Sequence, residues 1–191
     1  MSAHPIDMAF SVLRAAQETK QDSVSAMGVG TDILPSVFCF DEAGRVMSYA
    51  ILLSPGEGRS VTVSFLEAAA VMRKAWGCHA VVWAQESYTS ATTEDDRPLA
   101  ERFPTDPEVS ECLTCLCVTV DGDAAYVVQP YRQTVPRRVE WLESKVGVGR
   151  AADHDTADLA CRIMGKVDVA IDPDDGLEAL SDLGFVGMPG D

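Results

Sequence analysis

Glu86, Tyr88, Arg97, Arg102, Asp106 and Glu111 bring three carboxylates, two guanidinium groups and a phenol into one polar stretch of a 191-residue chain. Side chains of these types support two chemistries. A carboxylate can serve as a general base while an arginine holds an anionic group, the minimum of a hydrolase-like site built from Glu86, Arg102, Asp106 and Glu111. The same groups can bind a partner or ligand without transforming it. The segment that carries most of them, Ser87 to Glu111, is 25 residues long and lies between two strand-like runs, His79 to Glu86 and Cys112 to Val120. A structureless connection of that length is uncommon inside a compact domain and, where it occurs, usually serves as a binding segment or lid. Tyr88, Leu99 and Phe103 are expected to tuck against the sheet and Asp106-Pro107 to pin the return, leaving Thr92 to Asp96 as the tip.

The remaining motifs reduce to structure. Cys112, Cys115 and Cys117 spell the CxxCxC of a partial zinc site, but Leu113, Thr114, Leu116, Val118 and Thr119 form strand and not the tight turn of a thiolate knuckle. On a strand, Cys115 and Cys117 share one face and Cys112 points to the other. All six cysteines (39, 78, 112, 115, 117, 161) read as reduced, since a chain of this size needs no disulfide framework. His4, His79 and His154 have no ligand neighbour at metal-binding spacing. Gly28-Val29-Gly30 and Gly147-Val148-Gly149 lack the third glycine and the strand-to-helix setting of a dinucleotide site. Asp172-Pro173-Asp174-Asp175-Gly176 has its glycine one position early for a calcium loop and lacks the twelfth-position Glu, so Asp172 reads as a helix cap. No nucleophile motif is present, and no metal or cofactor is expected.

Around these residues, Ile6 to Met27 has apolar positions at helical spacing, with Arg14, Glu18 and Lys20 to Asp22 as its polar component, and Gly28 and Gly30 end it. Ser36 to Phe40 and Arg45 to Leu53 read as a hairpin turned at Asp41-Glu42-Ala43-Gly44. Ser64 and Glu67 form a capping box ahead of a helix with Phe65, Leu66, Ala69, Met72 and Trp76 on its apolar face and Gly77 as its C-cap. The apolar run Val81 to Ala84 suggests a central strand. Asp106-Pro107-Glu108 is expected to start a short helical turn. A second hairpin, Cys112 to Val120 with Asp123 to Gln129, turns at Asp121-Gly122, and Pro130 should end it or mark an edge. Arg138 to Leu142 adds a further short strand, and Lys145 to Gly149 reads as a flexible link. Two acidic helices follow, one from Asp155 to Met164 and one capped by Asp172 and ended by Gly184, with Phe185 folding back. The expected fold is α+β: a mixed, largely antiparallel sheet of five strands, six with Arg138 to Leu142, in the order α-ββ-α-β-loop-ββ-(β)-α-α. Residues 1–150 form its core domain and 151–191 an acidic helical appendage, docked through Leu159, Ile163, Leu177, Leu180 and Leu183 on the body or on a second copy of the chain. That docking makes a homo-oligomer one expected outcome.

This α, hairpin, α, β order resembles the scaffold of zinc deaminases and of JAMM-type metallopeptidases. The chain departs from both at the motif. It reads Thr62-Val63-Ser64-Phe65-Leu66-Glu67 where a deaminase needs HxE, and His79-Ala80-Val81 where a JAMM site needs HxH. From Ala84 to Trp141 it also resembles a family of bacterial and phage-encoded proteins to which no activity is attached. Gln85-Glu86-Ser87-Tyr88, Pro104 to Glu111 as Pro-x-Asp-Pro-x-x-x-Glu, and the apolar hairpin from Cys112 to Tyr131 carry that likeness. It implies a bacterial or phage origin and assigns no catalytic residue.

Net charge is −15 and unevenly spread: residues 1–150 carry 13 basic and 20 acidic residues, residues 151–191 only 2 and 10. A balance of that sign disfavours nucleic-acid phosphates and anionic lipid, and it permits a basic partner surface. Locally, Arg97 and Arg102 provide cations that could draw a small anion. No apolar run approaches the roughly 20 residues of a membrane span, and no targeting segment is evident, so a cytoplasmic protein is expected. The expectation for function is a non-catalytic accessory protein that binds a partner protein or small anionic ligand through Glu86, Tyr88, Arg97, Arg102, Asp106 and Glu111. The alternative is the hydrolase-like enzyme above.

Overall fold

The structure, a computed structural model, describes residues 4–28, 32–42, 44, 46–51, 61–90, 97–103, 105–166 and 170–187. The expected loop tip Thr92 to Asp96, the strand ends Arg45 and Leu52-Leu53, and Gly30 lie outside these residues. Within them the fold is α+β, with five helices and an eight-stranded sheet in which every pairing is antiparallel. The chain runs α1 (Pro5–Met27), β1 (Ser36–Phe40), β2 (Val46–Ile51), α2 (Val61–Trp76), β3 (Ala80–Ser90), α3 (Leu99–Arg102), β4 (Val109–Thr119), β5 (Asp123–Val135), β6 (Arg138–Trp141) and β7 (Lys145–Arg150). A 3-10 turn at Ala151–Asp153 leads to α4 (Asp155–Gly165), α5 (Pro173–Asp182) and β8 (Phe185–Gly187). Spatial order across the sheet is β6-β5-β4-β3-β1-β2-β8, and β7 lies beside β5 next to β6.

The two sheet faces follow from the strand register. On one, Val37, Cys39, Val81, Trp83 and Val118 meet α2, α4 and α5. On the other, Ala80, Val82, Ala84, Leu113, Cys115, Cys117, Val127 and Tyr131 meet α1. β3 is central and covered on both sides over Ala80–Ala84. Cys115 and Cys117 share the α1 face as their spacing requires. Burial pushes both thiols up to about 12, which keeps them protonated at neutral pH. Cys112, on the opposite face, lies 3.2 Å from Ser87 Oγ.

Several expectations are corrected by tertiary context. Two strands are added and none is parallel. Lys145 to Arg150, expected to be a flexible link, is strand β7, and its glycines have a packing reason. Tyr126 pairs with Gly147, and a Cβ on Gly147 would overlap the Tyr126 ring. Pro130 lies inside β5 and does not end it. The proline carbonyl accepts from Leu142 N (2.9 Å), so its ring nitrogen, on the same side, faces the break between β7, which pairs as far as Val128, and β6, which pairs from Tyr131. Helix α2 begins at Val61, so Ser64 lies buried within its first turn and is not a cap. Asp106-Pro107-Glu108 forms an Asx turn, with Glu108 N donating to Asp106 Oδ1 (2.9 Å), and the helical turn of this segment is α3 instead.

Cys39 and Cys78 are joined by a disulfide, which overturns their reading as reduced thiols. β1 pairs with β3, and Cys78 sits two residues before β3 begins, so the register brings the two Cα atoms to 5.8 Å. Cysteine usage therefore gives no support to a cytosolic setting, because such bonds persist in oxidising compartments. Residues after 150 contribute Ala151, Ala157, Ala160, Met164, Leu180 and Phe185 to the core beside α2, and β8 pairs with β2. Leu159 and Leu177, expected to dock, are instead exposed at 47% and 46%, and Ala157, Ala160 and Met164 make the contact.

Candidate functional site

Strand pairing brings together half of the expected site residues. Tyr88 on β3 pairs with Glu111 on β4, Glu111 pairs with Tyr131 on β5, and Glu86 lies two residues along β3, so all four share the α1 face. The polar segment is shorter than its sequence suggests, because β3 continues to Ser90 and β4 starts at Val109. Tyr88 and Glu111 thus stand on strands and not on a loop.

Lys20 completes the cluster. It lies seven residues after Leu13 and four before Val24, within the stripe that α1 turns to the sheet, and is 2% exposed. Its ammonium donates to Glu86 Oε1 at 2.7 Å, and the other Glu86 oxygen accepts from Ile33 N, also at 2.7 Å. One carboxylate therefore ties α1, the segment before β1 and the central strand together. Lys20 Nζ is also 5.2 Å from the centre of the Tyr131 ring, which meets Trp141 edge-on at 5.4 Å. The Tyr131 hydroxyl is buried and has no hydrogen-bond partner among the described residues. Burial raises the proton affinity of the Glu111 carboxyl, and the nearby Glu86 charge raises it further; Lys20 opposes this and Asp32 adds to it.

The arginines take other roles. Arg102 is 3% exposed; its Nε and Nη2 donate to Asp106 Oδ2 at 2.8 and 2.7 Å, and Nη2 lies 3.4 Å from Ser90 Oγ. Its carbonyl accepts from Thr105 and Asp106. This is a clasp that closes the 97–108 segment onto the end of β3. Arg102 is therefore not the exposed cation expected for drawing an anion, since its guanidinium is committed to Asp106. Arg97 is exposed. The Phe103 ring meets that of Tyr88 at a tilt, centroids 5.1 Å apart, so the flank of the segment does tuck against the sheet.

Under this clasp a pocket of about 330 Å³ opens between Phe103, Asp106, Glu111, Tyr131 and Arg132. Arg132 donates to the Pro107 carbonyl at 3.3 Å. The pocket is lined by two aromatic residues, by the Asp106 and Glu111 carboxyl groups and by the Arg132 guanidinium; with Asp106 paired to Arg102, Glu111 is the carboxyl that a cationic group would meet. The described residues contain no group of three or more His, Cys, Asp and Glu side chains that could hold a metal ion. Sequence reasoning named Glu86, Tyr88 and Glu111, which the strands bring to one face, but placed Lys20 on the polar face of its helix and did not name Tyr131 as a site residue. The signal for Lys20 was its position in the i, i+4, i+7 stripe; for Tyr131 it was a place directly across the hairpin from Glu111.

Comparison with protein-family models, with curated proteins and with solved structures gives no match.

Proposed function

We propose that this chain is a non-catalytic binding protein that receives a basic side chain of a partner protein in the pocket under the 97–108 segment. The observation that carries the reading is a pocket lined by both Glu111 and Tyr131, whose buried hydroxyl has no partner among the described residues. An unsatisfied buried polar group is unfavourable, and a donor arriving at that oxygen relieves it. A cation entering there also meets the Glu111 carboxyl and the faces of Phe103 and Tyr131, while the net charge of −15 attracts a basic partner at longer range.

The test is a chemical-shift titration with the tripeptide acetyl-Gly-Arg-Gly-amide and its citrulline analogue at physiological salt. Saturable shifts at Tyr131, Glu111 and Trp141 with the arginine peptide, lost with the citrulline peptide and weakened in Tyr131→Phe, support the reading. Equal response to both peptides refutes it. One observation favours a second reading, a hydrolase-like enzyme: Glu111 has raised proton affinity beside Glu86, the separation of roles that acid–base pairs use. In that case Glu111→Gln abolishes turnover on a hydrolase substrate panel, whereas the binding reading expects no turnover in either protein.

A further inference from the structure

A second concavity lies on the opposite sheet face, shares no residue with the pocket above, and has a volume of about 790 Å³, within the range of small-molecule sites. Its floor is one rung of the sheet, Trp83, Leu116, Tyr126 and Gly147 across β3, β4, β5 and β7; the next rung adds Gln85, Thr114 and Val128. Three features point to an occupant. Trp83 is 8% exposed, and its Nε1 is a buried donor with no acceptor. Gln85 is half-buried, and no described residue engages its side-chain amide. Tyr126 is 46% exposed and lies along β7 only because Gly147 has no Cβ, which leaves an aromatic surface at the groove edge.

These features also fix the ligand chemistry. The cation at the rim, Arg150, is bound to Asp123 (2.5 Å) and to the Asp121 carbonyl (2.9 Å), and His154 Nδ1 caps α4 by accepting from Ala157 N (3.4 Å). Neither is directed at an anionic ligand. The floor is apolar and aromatic; the lining also includes the Thr62 and Thr156 hydroxyls and the Asp153 carboxylate, which accepts from Arg150 N, and the floor's polar side-chain groups without a partner among the described residues are an indole donor and an amide with a donor and an acceptor side by side. β3 and β5 lie about 10 Å apart, a span that one fused-ring or amide-bearing ring ligand bridges. We infer that the groove binds an uncharged planar heteroaromatic with an adjacent donor and acceptor on its edge, stacked on Tyr126, paired with Gln85 and accepting from Trp83 Nε1.

Adenosine and nicotinamide are the probes, and indole, planar but without such an edge, is the control. The readout is the Trp83 indole N–H resonance in ¹H–¹⁵N spectra. Saturable movement with adenosine or nicotinamide, and at least a fivefold weakening in Gln85→Leu and in Tyr126→Ala, is expected, from the usual penalty of an unpaired polar group. Both substitutions are at positions not fully buried, so the remaining spectrum should superpose on that of the unaltered protein. The inference is overturned if neither probe moves the resonance, if indole moves it equally, or if Gln85→Leu binds as tightly as the parent.

Discussion

Replacing Lys20 by Met should destabilise the protein far more than loss of an ordinary lysine. The Lys20 and Glu86 side chains are 3% and 10% exposed and meet at 2.7 Å, so the substitution leaves a buried carboxylate with a single remaining donor, Ile33 N. Breaking a buried pair by removing one partner costs about 3–5 kcal/mol, against about 0–1 kcal/mol for a surface pair. In a chain of this length that corresponds to a fall in Tm of about 6–20 °C. Urea unfolding followed by circular dichroism measures the deficit. Lys20→Met combined with Glu86→Gln, which keeps an acceptor for Ile33 N, should recover at least about half of the loss. A deficit under about 1 kcal/mol would mean that the pair contributes no more than a surface contact.

Glu111→Gln should act in the opposite direction. Folding raises the Glu111 proton affinity, so its stabilising contribution is present below the unfolded carboxyl value of about 4.3 and lost as pH rises through the folded value. The variant should then be more stable than the parent at pH 7 and equal to it near pH 4, and a urea midpoint that falls at pH 7 would count against this. Reducing the Cys39–Cys78 bond, which spans 39 residues, should cost about 2–4 kcal/mol while leaving a folded protein; thermal melts with and without dithiothreitol check it, and an unchanged Tm would show that the bond adds nothing. Gly147→Ala forces the Tyr126 ring off β7 and should cost about 1–3 kcal/mol, a cost largely removed in the Tyr126→Ala background. Additive melting shifts for those two substitutions would mean the ring and the glycine are not coupled.

The elements with strong local signals were readable from sequence. α1 with its Gly28 cap, β1, the turn at Asp121-Gly122 and α5 behind Asp172 and Pro173 all formed where periodicity and turn chemistry put them. What failed was set by distant neighbours. The glycines of β7 look like a linker until Tyr126 is seen to occupy their surface, and Pro130 looks like a strand end until the gap between β6 and β7 is known. β8 has only three residues, too few to show a pattern, and exists because β2 offers an open edge. Glu86, Tyr88 and Glu111 were grouped from sequence as parts of a polar loop, and it is the extension of β3 and β4 that puts them on one face. Lys20 was not legible, because a lysine on a helix reads as solvated unless the opposing carboxylate, 66 residues away, is already in place. Arg102 has its partner Asp106 only four residues on, and what the sequence does not show is that the pair is held inward beside Ser90.

Titration of the Glu111 side-chain carboxyl by ¹³C NMR, with and without saturating acetyl-Gly-Arg-Gly-amide, shows whether the Glu111–Tyr131 pocket receives a cation as proposed. An arriving guanidinium stabilises the ionised carboxyl, so the account predicts that the raised titration midpoint of Glu111 moves down in the complex, with affinity weakening by the linked amount as pH falls through that midpoint. A midpoint that is the same with and without the peptide, or one that rises, would contradict it.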